Sequence, residues 1–266
     1  MDNNIIFKKQ SFYTRFVSMF KVDLKRTFIT PLYYIMVAIA FVVPILVLVM
    51  TTKMPTTTID PVTNVETPVE TFTNVWQSIS SVSGSSSAMS IISMCNINLV
   101  YLFTLVPICL FVSEEFKSGY AKSIFVVRAK KSDYVISKSI IGFICGGSMI
   151  IAYFIGSLIG GKIAGLSFAL EGVKVYQVFM CMLSKVCLVA VFVPIYLVIS
   201  IASKQRAWLS ILCSLAASML LFTMIPMITP LNASIINVIL CLVGGTLFSV
   251  GLGVVSNIVL NKTSLV

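Results

Sequence analysis

"FVSEEFKSGYAKSIFVVRAKKSDYVISKS", residues 111–139, carries nine charged side chains between two long apolar runs. Elsewhere charge is scarce: the 266-residue chain is 58% hydrophobic and 11% charged, with a mean hydropathy of +1.03. Soluble domains carry about a quarter charged residues, so this chain has too little polar surface to cover a water-soluble particle of its size. The flanking runs therefore read as membrane crossings, and the charged stretch as a connection in water.

Working outward, six runs approach or exceed the roughly 20 apolar residues a helix needs to cross a hydrocarbon core of about 30 Å: 32–51, 90–112, 140–160, 175–202, 208–228 and 235–260. Helices satisfy their own backbone groups where water is absent. The alternating segments of about ten residues that mark a membrane β-barrel do not occur. The expected fold class is an all-α membrane protein with six transmembrane helices. The fourth and sixth runs exceed one crossing and leave room for an interfacial or re-entrant piece.

An even count puts both termini on one side, and lysine and arginine choose the side, because loops rich in them stay in the cytoplasm. With both ends inside, fifteen of the nineteen basic residues are cytoplasmic, Lys53, Lys162 and Lys174 are outside, and Lys185 lies within a span. The expected location is the cytoplasmic membrane, multi-pass, with both termini cytoplasmic. The net charge of +10 then reflects topology, with attraction to anionic membrane lipids as a second effect, and does not argue for nucleic acid. No signal peptide is evident, and the first span is expected to serve as the insertion signal.

Residues 1–30 form the first unit, a cytoplasmic amphipathic interfacial helix, and 31–266 the transmembrane domain. Phe12, Phe16, Phe20, Leu24 and Phe28 recur every four residues, with Lys8, Lys9, Arg15, Lys21, Lys25 and Arg26 opposite, the pattern of a helix lying in the membrane surface. Pro31 ends it. Residues 53–89, rich in threonine, proline and serine, form an extracellular loop in which short strand-like pieces such as 68–76 are expected. Glycines at 142, 146, 147, 156, 160 and 161 suggest close helix packing where lipid supplies no hydrophobic drive.

Lys185 is a candidate intramembrane charge, which is costly and usually functional. A second reading has it snorkel to the outer interface, since 186–203 already suffices for one crossing. The seven cysteines lack CxxC spacing and the chain has no histidine, so neither a metal site nor a nucleophile–base pair is expected, and catalytic residues are expected to be none. A third class, an intramembrane enzyme, lacks the groups that its usual chemistries need.

The 113–139 connection holds more than a positive-inside loop requires. Glu114 and Glu115 stand at the membrane exit, Phe116, Lys117, Gly119, Tyr120 and Lys122 follow with a turn expected at Gly119, and after the apolar "SIFVV" comes a basic cluster of Arg128, Lys130, Lys131 and Lys138. The pattern Glu115-x-x-x-Gly119, apolar stretch, basic cluster and Lys138 before a span resembles the first cytoplasmic loop of ATP-binding-cassette type-2 permeases. The surface helix, the six spans and the large loop after span one extend the likeness over nearly the whole chain. Tyr120 and Ala129 stand where that family often has threonine and proline, and the 226–234 connection is short for its re-entrant helices.

The resemblance implies a permease subunit of an ATP-driven exporter whose coupling helix, in this connection, docks on a separate cytoplasmic ATPase. Glu114 and Glu115 would pair with basic residues of that motor or with the chain's own surface helix. No G-x-x-x-x-G-K-[ST] occurs, so ATP and magnesium belong to the partner and the chain itself is not an enzyme. A second permease, the same chain or a different one, would complete the pore. The expected cargo is a hydrophobic or amphipathic molecule such as an antimicrobial peptide or a drug. The alternative from another class is a membrane immunity protein that sequesters a peptide without transport.

Overall fold

The computed structural model describes residues 11–53, 57–59, 66–68, 72–79, 96–127, 130–170, 172–222 and 224–262. Among them the chain is helical apart from a small hairpin and its connections. In chain order the elements are α1 (Phe12–Ile29), α2 (Pro31–Lys53), β1 (Thr57–Ile59), β2 (Glu66–Pro68), a 3-10 turn (Val75–Ser78), α3 (Leu99–Lys117), α4 (Tyr120–Val127), α5 (Lys131–Ala164), α6 (Val175–Ser203), α7 (Ala207–Phe222), α8 (Ile225–Ile228) and α9 (Ile235–Lys262). Helices α2, α3, α5, α6 and α9 are long and apolar enough to cross a membrane. The chain is an all-α, multi-pass membrane protein.

Three expectations shift in detail. The second run does not continue as helix through residues 96–98, which form a turn ahead of α3, while residues 90–95 lie outside the described residues. The fifth run is divided: α7 has 16 residues, about 24 Å of helix, and the four-residue α8 follows it. The strand-like segment near 68–76 becomes β2 at its start, paired antiparallel with β1, and a 3-10 turn at its end.

Helix α6 is the centre of the bundle, packed by α3, α5, α7 and α9, while α2 lies along α5 on the outside. The core joins Tyr101 and Ile108 of α3, Met149 and Tyr153 of α5, and Phe192 and Tyr196 of α6. Tyr101 and Phe192 stack at 4.7 Å between ring centroids. Polar groups inside this core bond to one another: Tyr196 OH donates to Tyr101 O at 2.9 Å, and Ser200 and Ser210 hydroxyls lie 2.7 Å apart. Ser210, Ser214 and Ser218, four residues apart, turn one buried stripe of α7 toward the bundle. Small hydroxyl residues allow close approach and give interhelical bonds in lipid.

Helix α5 sets the length of the molecule. Its 34 residues extend about 51 Å, well beyond a hydrocarbon core of about 30 Å. The chain just past its end carries the segment 72–79, where Val75 N donates to Ser167 O at 3.1 Å and Trp76 Nε1 to Phe168 O at 3.2 Å. Its first turns protrude at the other end, beside α1 and α4.

Candidate functional site

The site forms where the first turns of α5 meet α1, the end of α3 and α4. Helix α1 does not rest on the bundle by its aromatic stripe. Phe12, Tyr13, Val17 and Phe28 are exposed, and Phe12, Phe16 and Phe20 stack on one another at 6.0 Å. The face turned inward is largely polar: Asp23 is the one fully buried residue of α1, Arg15 Nε lies 3.2 Å from Asp133 Oδ2, and Met19 packs beside them against the group of Val112 and Tyr134. Thus the outward apolar face is left for lipid and ion pairs hold the helix to the protein.

Glu115, on the last turn of α3, is the hub. Its Oε1 receives Arg26 Nη1 at 2.6 Å and Lys138 Nζ at 2.7 Å, and its Oε2 receives Tyr134 OH at 2.8 Å. Lys138 Nζ also lies 2.9 Å from Asp23 Oδ1, whose Oδ2 accepts from Ser137 Oγ at 2.8 Å. Two carboxylates and two cations therefore balance. Asp23 and Glu115 are fully buried and Lys138 nearly so, whereas the Arg26 side chain keeps 35% of its exposure. Buried charges persist only when paired and hydrogen-bonded, and here the pairs join α1, α3 and α5. Two aromatic rings complete the cage, because Arg26 Cζ stands 4.1 Å from the Tyr120 centroid and Lys138 Nζ 4.2 Å from that of Phe111. Cation–π contacts strengthen when desolvated.

Helix α4 sits on this cluster. Gly119 has φ +73°, the left-handed turn that releases the chain from α3, and L side chains pay about 1–2 kcal/mol there. A Cβ at Gly119 meets nothing within 4 Å, so the cost of Gly119→Ala is backbone strain alone. We expect it to destabilise by about 1 kcal/mol and Gly119→Asn by less, as asparagine tolerates this region; thermal unfolding of the two variants checks the order. Tyr120 then faces Arg26, Ala121 is buried, and Phe125 meets Tyr134 edge-on at 5.3 Å.

The residues singled out in the sequence divide by role. Glu115, Tyr120 and Lys138 belong to the cluster, and Phe116 packs beside it against the group of Val112, Tyr134 and Leu197. Of the two partners considered for Glu115, the structure gives it the chain's own surface helix. Glu114, Lys117, Lys122 and Lys130 are exposed, and Arg128 lies outside the described residues. Lys131 Nζ donates to Leu260 O at 3.0 Å, tying α5 to the end of α9. Sequence reading missed Asp23, although a lone acid in a basic helix was the available signal, and missed Ser137 as its support and Tyr134 as that of Glu115.

A cleft beside the cluster, of about 90 Å³, is lined by Arg26, Tyr33, Phe111, Ile141, Gly142 and Cys145 among others. Lys185 does not snorkel. It is fully buried, and its Nζ donates to Asn98 Oδ1 and Thr229 Oγ1, each at 2.9 Å. No protein-family model, curated protein or solved structure matches this chain.

Proposed function

We propose that this chain is the permease subunit of an ATP-driven exporter, resembling ATP-binding-cassette type-2 permeases, with six spans, cytoplasmic termini and α4 as the coupling helix that a separate ATPase grips. One observation carries the reading. A short helix at the end of the bundle is fastened through Tyr120 and Arg26 to a buried ion cluster spanning α1, α3 and α5, while Lys122 and Ser123 on its other side face outward. A force applied to such a helix reaches three membrane-associated helices through one rigid joint, which is what coupling by a repacked interface needs. In this reading Glu115 is the anchor of the lever, and Glu114, Lys117 and Lys122 are the docking surface.

The fifth span in chain order is α7, whose 16 residues alone fall short of a crossing, continued through α8. The cargo reading stays with hydrophobic or amphipathic molecules, for which the apolar cleft beside Arg26 and Phe111 is a point of entry. The test is purification of tagged chain from its native membrane, followed by ATPase and transport assays of the complex in proteoliposomes. A Lys117→Glu, Lys122→Glu variant should bind the ATPase about tenfold more weakly or worse, as like-charge juxtaposition at an interface does, with its own melting temperature unchanged. A chain that carries out its cellular role with no nucleotide-hydrolysing subunit attached would overturn the proposal and favour the sequestering protein.

A further inference from the structure

Lys185 lies ten residues into α6, about 15 Å from its start, and its surroundings are not those of an ordinary buried cation. Both its acceptors, Asn98 Oδ1 and Thr229 Oγ1, are neutral. Among the described residues no carboxylate is in ion-pair contact with it. A charged amine inside a bilayer-spanning bundle is expensive and calls for a counter-charge.

Two further facts sharpen the need. Asn98 is the residue that precedes α3, so the amine sits at the positive end of a helix dipole, where a cation is disfavoured and an anion favoured. The Asn98 amide nitrogen is itself buried with no acceptor. An unsatisfied amide donor thus lies on the same side chain whose oxygen holds the Lys185 ammonium. Thr229 Oγ1 accepts from Lys185 and passes its own hydrogen to Ile225 O at 3.0 Å, which satisfies one N–H but supplies no negative charge. Tyr101 OH donates to Lys185 O at 2.7 Å and is neutral as well.

From this geometry we infer that Lys185 and Asn98 form a binding site for a monovalent anion, either a small inorganic ion or the carboxylate of an organic molecule. The site is assembled from three segments, the turn before α3, the middle of α6 and the turn after α8. Asn98 and Thr229 both stand at element ends, which part more easily than mid-helix positions. A water molecule would satisfy a donor there but not a charge. The inference is independent of the transporter reading, since it concerns the chain alone.

Thermal unfolding of the purified full-length chain in lipid nanodiscs, in sodium gluconate, chloride or acetate at equal total salt, tests it. Chloride or acetate at roughly ten times its dissociation constant should raise the melting temperature by about 4 °C over gluconate, which is too large to enter. A response to chloride assigns the site to a halide-sized ion, and one to acetate alone assigns it to a carboxylate. Asn98→Asp, which places a fixed carboxylate against the amine, should melt as high in gluconate as in chloride. Lys185→Met should show no anion response. A wild-type chain indifferent to the anion, or an Asn98→Asp chain that keeps the full response, overturns the inference.

Discussion

Replacing Lys138 with methionine is expected to destabilise the chain by about 3–5 kcal/mol, the cost of removing one partner from a buried ion pair. The ammonium is shared by Asp23 at 2.9 Å and Glu115 at 2.7 Å, both fully buried, so its loss leaves two carboxylates with Arg26 as their only remaining cation in the cluster. The melting temperature should fall by roughly 10 °C. The comparison with Lys130→Met is the sharper reading, because Lys130 belongs to the same basic run in sequence yet is exposed, and its loss should leave unfolding within about 0.5 kcal/mol of the parent. An Asp23→Asn, Lys138→Met double variant should regain much of the loss, since it removes one charge of each sign and keeps Arg26 with Glu115 at 2.6 Å. If Lys138→Met and Lys130→Met melt alike, the cluster is not what holds α1 and α3 to α5.

The second large effect is expected at the crossing of α2 and α5. A Cβ at Gly156 would collide with the backbone carbonyl of Phe41 and lie 2.9 Å from the Pro44 ring, and one at Gly160 would lie 2.8 Å from Ile45 Cα. Backbone cannot rotate aside as a side chain does, so Gly156→Val should cost about 3 kcal/mol, the upper end of ordinary overpacking. Its unfolding curve should shift accordingly. Gly244 supplies the control: its Cβ position meets nothing within 4 Å, and Gly244→Ala should be neutral or stabilising, since alanine is preferred over glycine in helices by about 1 kcal/mol. Equal effects at the two sites would mean that the α2–α5 approach is looser than the structure has it.

The apolar elements were legible because composition alone dictates them. The run 175–202 became α6 (Val175–Ser203) and 235–260 became α9 (Ile235–Lys262), and Pro31 opens α2 as expected. The turn at Gly119 was legible too, because the residue type answers a local backbone need. The break after Phe222 was not, since Thr229, just past α8, is buried against Lys185 of α6, 44 residues away, a matter no local pattern records. The ion cluster was half visible. Glu115 and Lys138 stood out, but Arg26 lies 89 residues from Glu115 and Asp23 lies 114 from Ser137, so nothing short-range pairs them. The aromatic stripe of α1 was legible as a face for lipid, and Phe12 and Phe28 are exposed, whereas the bonds that its polar face makes to α3 and α5 were not legible.

Because buried ion pairs tie α1 to its own chain, salt acts differently on its two kinds of charge. Mobile ions screen charges in solvent over a Debye length of about 10 Å at 0.1 M, so the grip of Lys21 and Lys25, both exposed, on acidic headgroups should fade as salt is raised. The bonds of Asp23 and Lys138 lie where electrolyte does not reach, and brine that strips peripheral proteins from vesicles will leave α1 bolted to its own chain.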